Sequence, residues 1–137
     1  MKKVISIKFI IDGEPRGKGR PRFTKSGHAF TDQKTRDYEK LIGYCYKAQG
    51  GRMLEGDIDI SIKAFYKIVK NDNKNIKAAK RAGEIKPTKK PDIDNVIKAI
   101  LDGLNEVAYK DDAHVINVSA SKYYSDEPRV EVIVSRI

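Results

Sequence analysis

Apolar and polar positions alternate over residues 57–66, DIDISIKAFY. Ile58, Ile60 and Ile62 point one way and Asp59, Ser61 and Lys63 the other, the period of a half-buried strand. Residues 3–11 alternate more loosely but are rich in β-formers, and read as a first strand. Near the C-terminus HVINVSASKYY (114–124) and PRVEVIVSRI (128–137) read as two strands joined by the turn SDEP. Elsewhere the period lengthens. Over 33–48, Tyr38, Leu41, Ile42 and Cys45 fall at helical spacing, with Gly50-Gly51 as the stop. Over 93–107, Ile93, Val96, Ile97, Ile100, Leu101, Leu104 and Val107 form a wide apolar stripe that must face a core. The stretch from 12 to 32, DGEPRGKGRPRFTKSGHAFTD, is punctuated by Gly and Pro and reads as a loop holding a short hairpin around Ser26-Gly27. A lysine-rich stretch, with a short helix near 74–83, ends at Pro87 and Pro91. The order β, loop, α, β, basic segment, α, β, β predicts a mixed α/β fold: one compact domain whose mixed or antiparallel sheet is packed by helices.

Length agrees, since 137 residues bury a single core and are too few for two. No run approaches the roughly 20 apolar residues of a membrane span. The N-terminus begins as a signal peptide would, but Ser6 and Lys8 interrupt it and no small-residue cleavage site follows. Cys45 is alone, which leaves no disulfide framework and no cysteine metal site, and suits a reducing cytoplasm. The formal charge of +9 is unevenly placed. Residues 67–90 carry nine Lys/Arg against two acids, and Arg16, Lys18, Arg20, Arg22 and Lys25 form a second cluster. Patches of this kind are the electrostatic footprint of a polyanion, foremost a nucleic acid.

Against that background KPDIDNVIKAILDGLNEVAYKDD (90–112) gathers five aspartates. Asp94, Lys98, Asp102 and Asn105 share a narrow helix face beside the apolar stripe. Asp92 follows Pro91 at the helix start, where carboxylates meet free N–H groups and the positive dipole end. Capping and bridging account for each acid singly, but not for Asp111 and Asp112, which follow a loop; a strand beside the helix would carry that pair towards the helix start. Converging carboxylates repel each other unless a cation balances them. A hard divalent ion with oxygen ligands does so, and Mg²⁺ needs only one to three carboxylates besides water and phosphate. Such a site polarises a phosphodiester and activates water, with Lys98 placed to stabilise charge on the phosphate. A calcium loop fails because Ile97 and Gly103 stand where Gly and Glu are needed. Zinc has only His28, His114 and Cys45 to draw on.

KPDIDNVIKAILDGLN…YKDDAHV resembles the signature of the RusA family of Holliday junction resolvases, endodeoxyribonucleases common in prophages, and GEPRGKGRPRF is similar to that family's basic N-terminal segment. The resemblance implies a cytoplasmic, Mg²⁺-dependent homodimer (Mn²⁺ being the alternative ion) that makes paired nicks in four-way DNA junctions. It implies no small-molecule cofactor and no membrane. Carried over, it assigns Asp92, Asp94 and Asp112 to the metal and Lys98 as the essential basic residue. Asn95, Asp102 and Asp111 belong to the motif in lesser roles. Lys18, Arg20 and Arg22 would contact DNA, and Lys89 and Lys90 of the lysine run join them. Two departures stand out. Glu106 replaces a family Gly, so either Asn105 takes the left-handed turn or the helix runs on to Val107. The basic segment 67–90 is also long, either a grip on DNA arms or a disordered loop. The rival readings are a broader metal-dependent nuclease and an inert module that binds branched DNA. Tyr109, beside the acid pair, is the nearest candidate for an aromatic wedge at a junction centre.

Overall fold

A computed structural model describes residues 4–19 and 22–137. Its elements, in chain order, are β1 (Ile5–Asp12), β2 (Arg22–Phe23), β3 (Ala29–Phe30), α1 (Gln33–Ala48), β4 (Ile58–Lys67), α2 (Lys74–Arg81), α3 (Ile93–Leu104), β5 (Val115–Ser125) and β6 (Arg129–Arg136). The alternation of β4 decides the layout. Ile58, Ile60, Ile62, Ala64 and Tyr66 are all buried along one face, so β4 takes a central place. The sheet order is β1-β6-β4-β5, with β4 parallel to β5 and antiparallel to β6. The sheet is therefore mixed. The last two strands do not pair with each other, contrary to what their short connection suggests; β4 lies between them.

Helices α1 and α3 cover the inner face, where Phe9, Ile11, Ile42, Tyr46, Val96, Ile100, Leu104 and Val132 make one cluster with β4. Burying each large side chain contributes about 1.5–3 kcal/mol. Asp32 starts α1, its Oδ1 accepting from Thr35 N–H at 2.8 Å. The two helices approach through glycine: a Cβ on Gly103 would lie 2.8 Å from that of Ile42. The opposite face is mostly polar, with Ser6 and Ser135 hydrogen-bonded at 2.8 Å and the stacked rings of Phe65 and Tyr123 at one end.

The hairpin near Gly27 is present as β2 and β3, with Gly27 at φ +85°. The basic segment is folded. Asn73 caps α2, and Arg81 forks onto Asp126 at 2.7 and 3.0 Å. Lys80 and Lys86 sit over Tyr124 and Tyr123 of the edge strand β5, 4.4 and 4.5 Å from the ring centroids. The third helix ends at Leu104 rather than 107. Neither expected ending occurs: Asn105 is extended, and Glu106 itself takes the left-handed turn at φ +64°. Among the described residues no helix is long and apolar enough to cross a membrane.

Candidate active site

Asp92 is the N-cap residue of α3, yet its side chain makes no capping hydrogen bond and stays exposed. Two residues on, Asp94 accepts from Asn95 N–H at 2.9 Å and is also exposed. Both carboxylates therefore stand in solvent at the positive end of a helix. The chain arrives there under two constraints. Tyr66, from the end of β4, donates its hydroxyl to the Pro91 carbonyl at 2.5 Å, and Lys122, from β5, donates to the Lys89 carbonyl at 2.8 Å. Burial first, and then the charge of Asp92, pushes the Tyr66 phenol up to about 12, so it remains a donor.

The N-terminal basic loop lies over the same turn. Gly17 is pressed against Pro91 and Asn95, and Lys18 N–H donates to the Asn95 carbonyl at 3.0 Å. The Lys18 ammonium bridges α1 and α3, 2.9 Å from Glu39 and 3.2 Å from Asp102. Expected as a DNA contact, it is largely enclosed by these two acids, which raise its pKa although burial opposes them. Arg22 lies exposed on β2, 3.9 Å from Asp32. Lys89 and Lys90 are exposed beside Pro91. Arg20 lies outside the described residues.

Lys98 is exposed and reaches Asp102 at 3.2 Å, one turn along α3. The acid pair comes to this end of the helix, not to its start as expected. Asp112 N–H donates to Asn105 Oδ1 at 3.1 Å, and its charge neighbours include Lys98 and Asp102. The reason is the connecting loop. Tyr109 is fully buried and donates its hydroxyl to the Leu101 carbonyl at 2.7 Å, which ties the loop to the last turns of α3. The same burial rules out Tyr109 as a wedge.

Asp111 and Asp112 share a hydrogen bond. The Ala113 N–H, donating to Asp111 at 3.1 Å, holds the Asp111 carboxyl below its ordinary value. The bond and the repulsion from Asp111 push the Asp112 carboxyl up, and Lys98 opposes the rise. Among the described residues no three acidic, His or Cys side chains stand close enough together to hold one ion. Asp92 and Asp94 thus lie at the start of α3 and Asp112 by its end, and the three are not gathered into a set. Carboxylates without a cation between them repel. Cys45 is half-buried, and burial raises its thiol. Of Tyr66, Lys122 and Glu39, only Lys122 carries a signal in the sequence. It shares the core-facing period of Val118 and Ala120, an odd place for a lysine.

Fold and site together define a class: a small, basic, mixed α/β protein with solvent-facing carboxylates set among lysines at one helix. A family model described as "Endodeoxyribonuclease RusA" matches residues 12–135. The chain belongs to the RusA endodeoxyribonuclease family. It is also similar to "Uncharacterized protein YqaN" of Bacillus subtilis (strain 168), with 33% identity over 137 residues covering 96% of each chain. The family implies a hydrolase acting on DNA phosphodiester bonds, of the Holliday junction resolvase type.

Proposed function

We propose that this protein nicks four-way DNA junctions in pairs, as a homodimer, by hydrolysis that depends on Mg²⁺ or Mn²⁺. The observation that carries the reading is the exposed pair Asp92 and Asp94 at the start of α3, on a chain of this family, with Lys98 one turn further. The donor set suits a hard divalent ion: Asp92 has no hydrogen bond as a cap, and the Asp111–Asp112 pair is a concentration of negative charge whose repulsion a cation relieves. Asp92, Asp94 and Asp112 would hold it once drawn together around it, since they stand apart in the structure. When bound, such an ion polarises the phosphate and makes water a stronger nucleophile.

The chain's own groups do the rest. Lys98 faces charge developing on the phosphate. Asp102 holds Lys98 and Lys18 in place, and Asn95 and Lys18 fix the basic loop over the first turn of α3. Arg20, Arg22, Lys89 and Lys90 contact the DNA backbone, so binding should weaken steeply with salt. A two-fold dimer would present two equal sites to two-fold related strands. The test is cutting of a synthetic four-way junction beside a linear duplex of the same sequence, with Mg²⁺, with Mn²⁺ and with chelator. The reading requires junction-selective cutting that chelator abolishes. Equal cutting of both substrates would make the protein a general nuclease, and tight junction binding without cutting an inert binder.

A further inference from the structure

Two side chains outside the aspartate motif hold the backbone from which Asp92 projects. Tyr66 and Lys122 sit near the C-terminal ends of the adjacent parallel strands β4 and β5. Tyr66 O–H takes the carbonyl of Pro91, and Lys122 Nζ takes that of Lys89. The two carbonyls flank Lys90 and lead directly into Asp92. The pair is also coupled, because Lys122 Nζ lies 4.9 Å from the centroid of the Tyr66 ring. The Tyr66 ring is buried, with 1% of its surface exposed, so its hydroxyl is a fixed point. Lys122 is half-buried on the core-facing side of β5, in register with Ala64, and its ammonium points back to the chain before α3. The Asp92 side chain has no hydrogen bond of its own as a cap. What places its carboxylate is therefore the backbone before it.

We infer that Lys122 and Tyr66 are positioning residues, which clamp residues 89–91 so that Asp92 is held ready for a divalent cation. The inference rests on the proposed assignment of Asp92 to the metal. Groups of this kind, which orient a ligand without touching the ion, typically change metal affinity or activity by roughly 10–100-fold.

The probe is terbium(III), an oxygen-seeking ion, with binding followed by titration calorimetry so that removing the Tyr66 phenol does not remove the signal being read. It is titrated into wild type, Lys122→Met, Lys122→Arg and Tyr66→Phe, and the half-saturating concentration is read. Lys122→Met and Tyr66→Phe should each raise it about tenfold, and Lys122→Arg, which retains a cationic donor, should stay near wild type. The Mg²⁺ needed for half-maximal junction cutting should rise in parallel, with junction affinity in chelator unchanged. If Lys122→Met fails to fold, Tyr66→Phe, which keeps the ring in the core, carries the test. Equal half-saturation in wild type and both variants, or no terbium binding by wild type, overturns the inference. A wild type that binds terbium but leaves junctions uncut would defeat the proposed function while the titration still decides the clamp.

Discussion

Gly103→Ala tests the closeness of the two helices beneath the site. A Cβ at 103 would stand 2.8 Å from Ile42 Cβ and 2.9 Å from both Cδ1 and Cγ2 of the same residue. Carbon atoms rest at about 3.5–4.0 Å, so Ile42 or a helix must shift by roughly 0.7 Å or more. Ile42 has no exposed surface and cannot turn away. Overpacking costs about 1–3 kcal/mol, and three simultaneous contacts on a buried residue favour the upper half of that range. Replacing a helical Gly returns at most about 1 kcal/mol. The net loss is about 1–2 kcal/mol, a fall in Tm of roughly 3–8 °C, to be read by thermal unfolding followed by circular dichroism. Pairing it with Ile42→Ala gives a sharper test. That change alone costs about 2–5 kcal/mol, but the new methyl fills part of its cavity, so the double loss should fall short of the sum by about 1 kcal/mol or more. Gly103→Ala with a Tm at or above wild type, or strict additivity in the double variant, would refute the close α1–α3 contact.

Other outcomes follow from the same geometry. Glu106→Gly relieves a left-handed residue and should raise stability by up to about 1 kcal/mol; a lower Tm would mean that Glu106 makes a contact worth more than its strain. Tyr109→Phe removes the hydroxyl held by Leu101 and should cost about 1 kcal/mol or more in urea unfolding, while slowing junction cutting because the loop carries Asp112. Lys98→Met should leave junction affinity in chelator nearly unchanged and slow cutting by roughly 10²–10³-fold; a large loss of affinity with normal single-turnover cutting would reassign it to binding. Asp126, hydrogen-bonded to Arg81, has its carboxyl below the ordinary value of 3.8. A depressed folded pKa gives stability that is present above 3.8 and lost as pH falls through the folded value. Melts between pH 6 and 2 should therefore show a steeper acid loss in wild type than in Asp126→Asn.

Much of the fold was legible because it rests on local periods. Over 33–48 the apolar spacing and the Gly50-Gly51 stop agree with α1, and the strict alternation of Ile58, Ile60 and Ile62 marks β4 as half-buried. The errors lie where distant parts of the chain decide. The turn SDEP does join β5 and β6, but β4 pairs with both strands and lies between them, and no local pattern carries that order. The end of α3 is hidden because Val107 continues the stripe while Glu106 accepts a conformation that usually selects Gly. The acids of the candidate site could be found from residue type and spacing alone. Their partners could not. Lys18 looked like a free cation of a basic loop until Gly17, lacking a side chain, let that loop settle on Asn95 and bring Lys18 between Glu39 and Asp102.

The central claim is that the acids at the start of α3 cut junction DNA. The most direct measurement maps nicks on a four-way junction with each strand end-labelled in turn, in Mg²⁺, for wild type and Asp94→Asn, with binding measured alongside in chelator. Wild type should make symmetric nicks in two opposed strands, and Asp94→Asn none despite junction binding equal to or tighter than wild type. Cutting by Asp94→Asn at the wild-type rate and positions would contradict that claim.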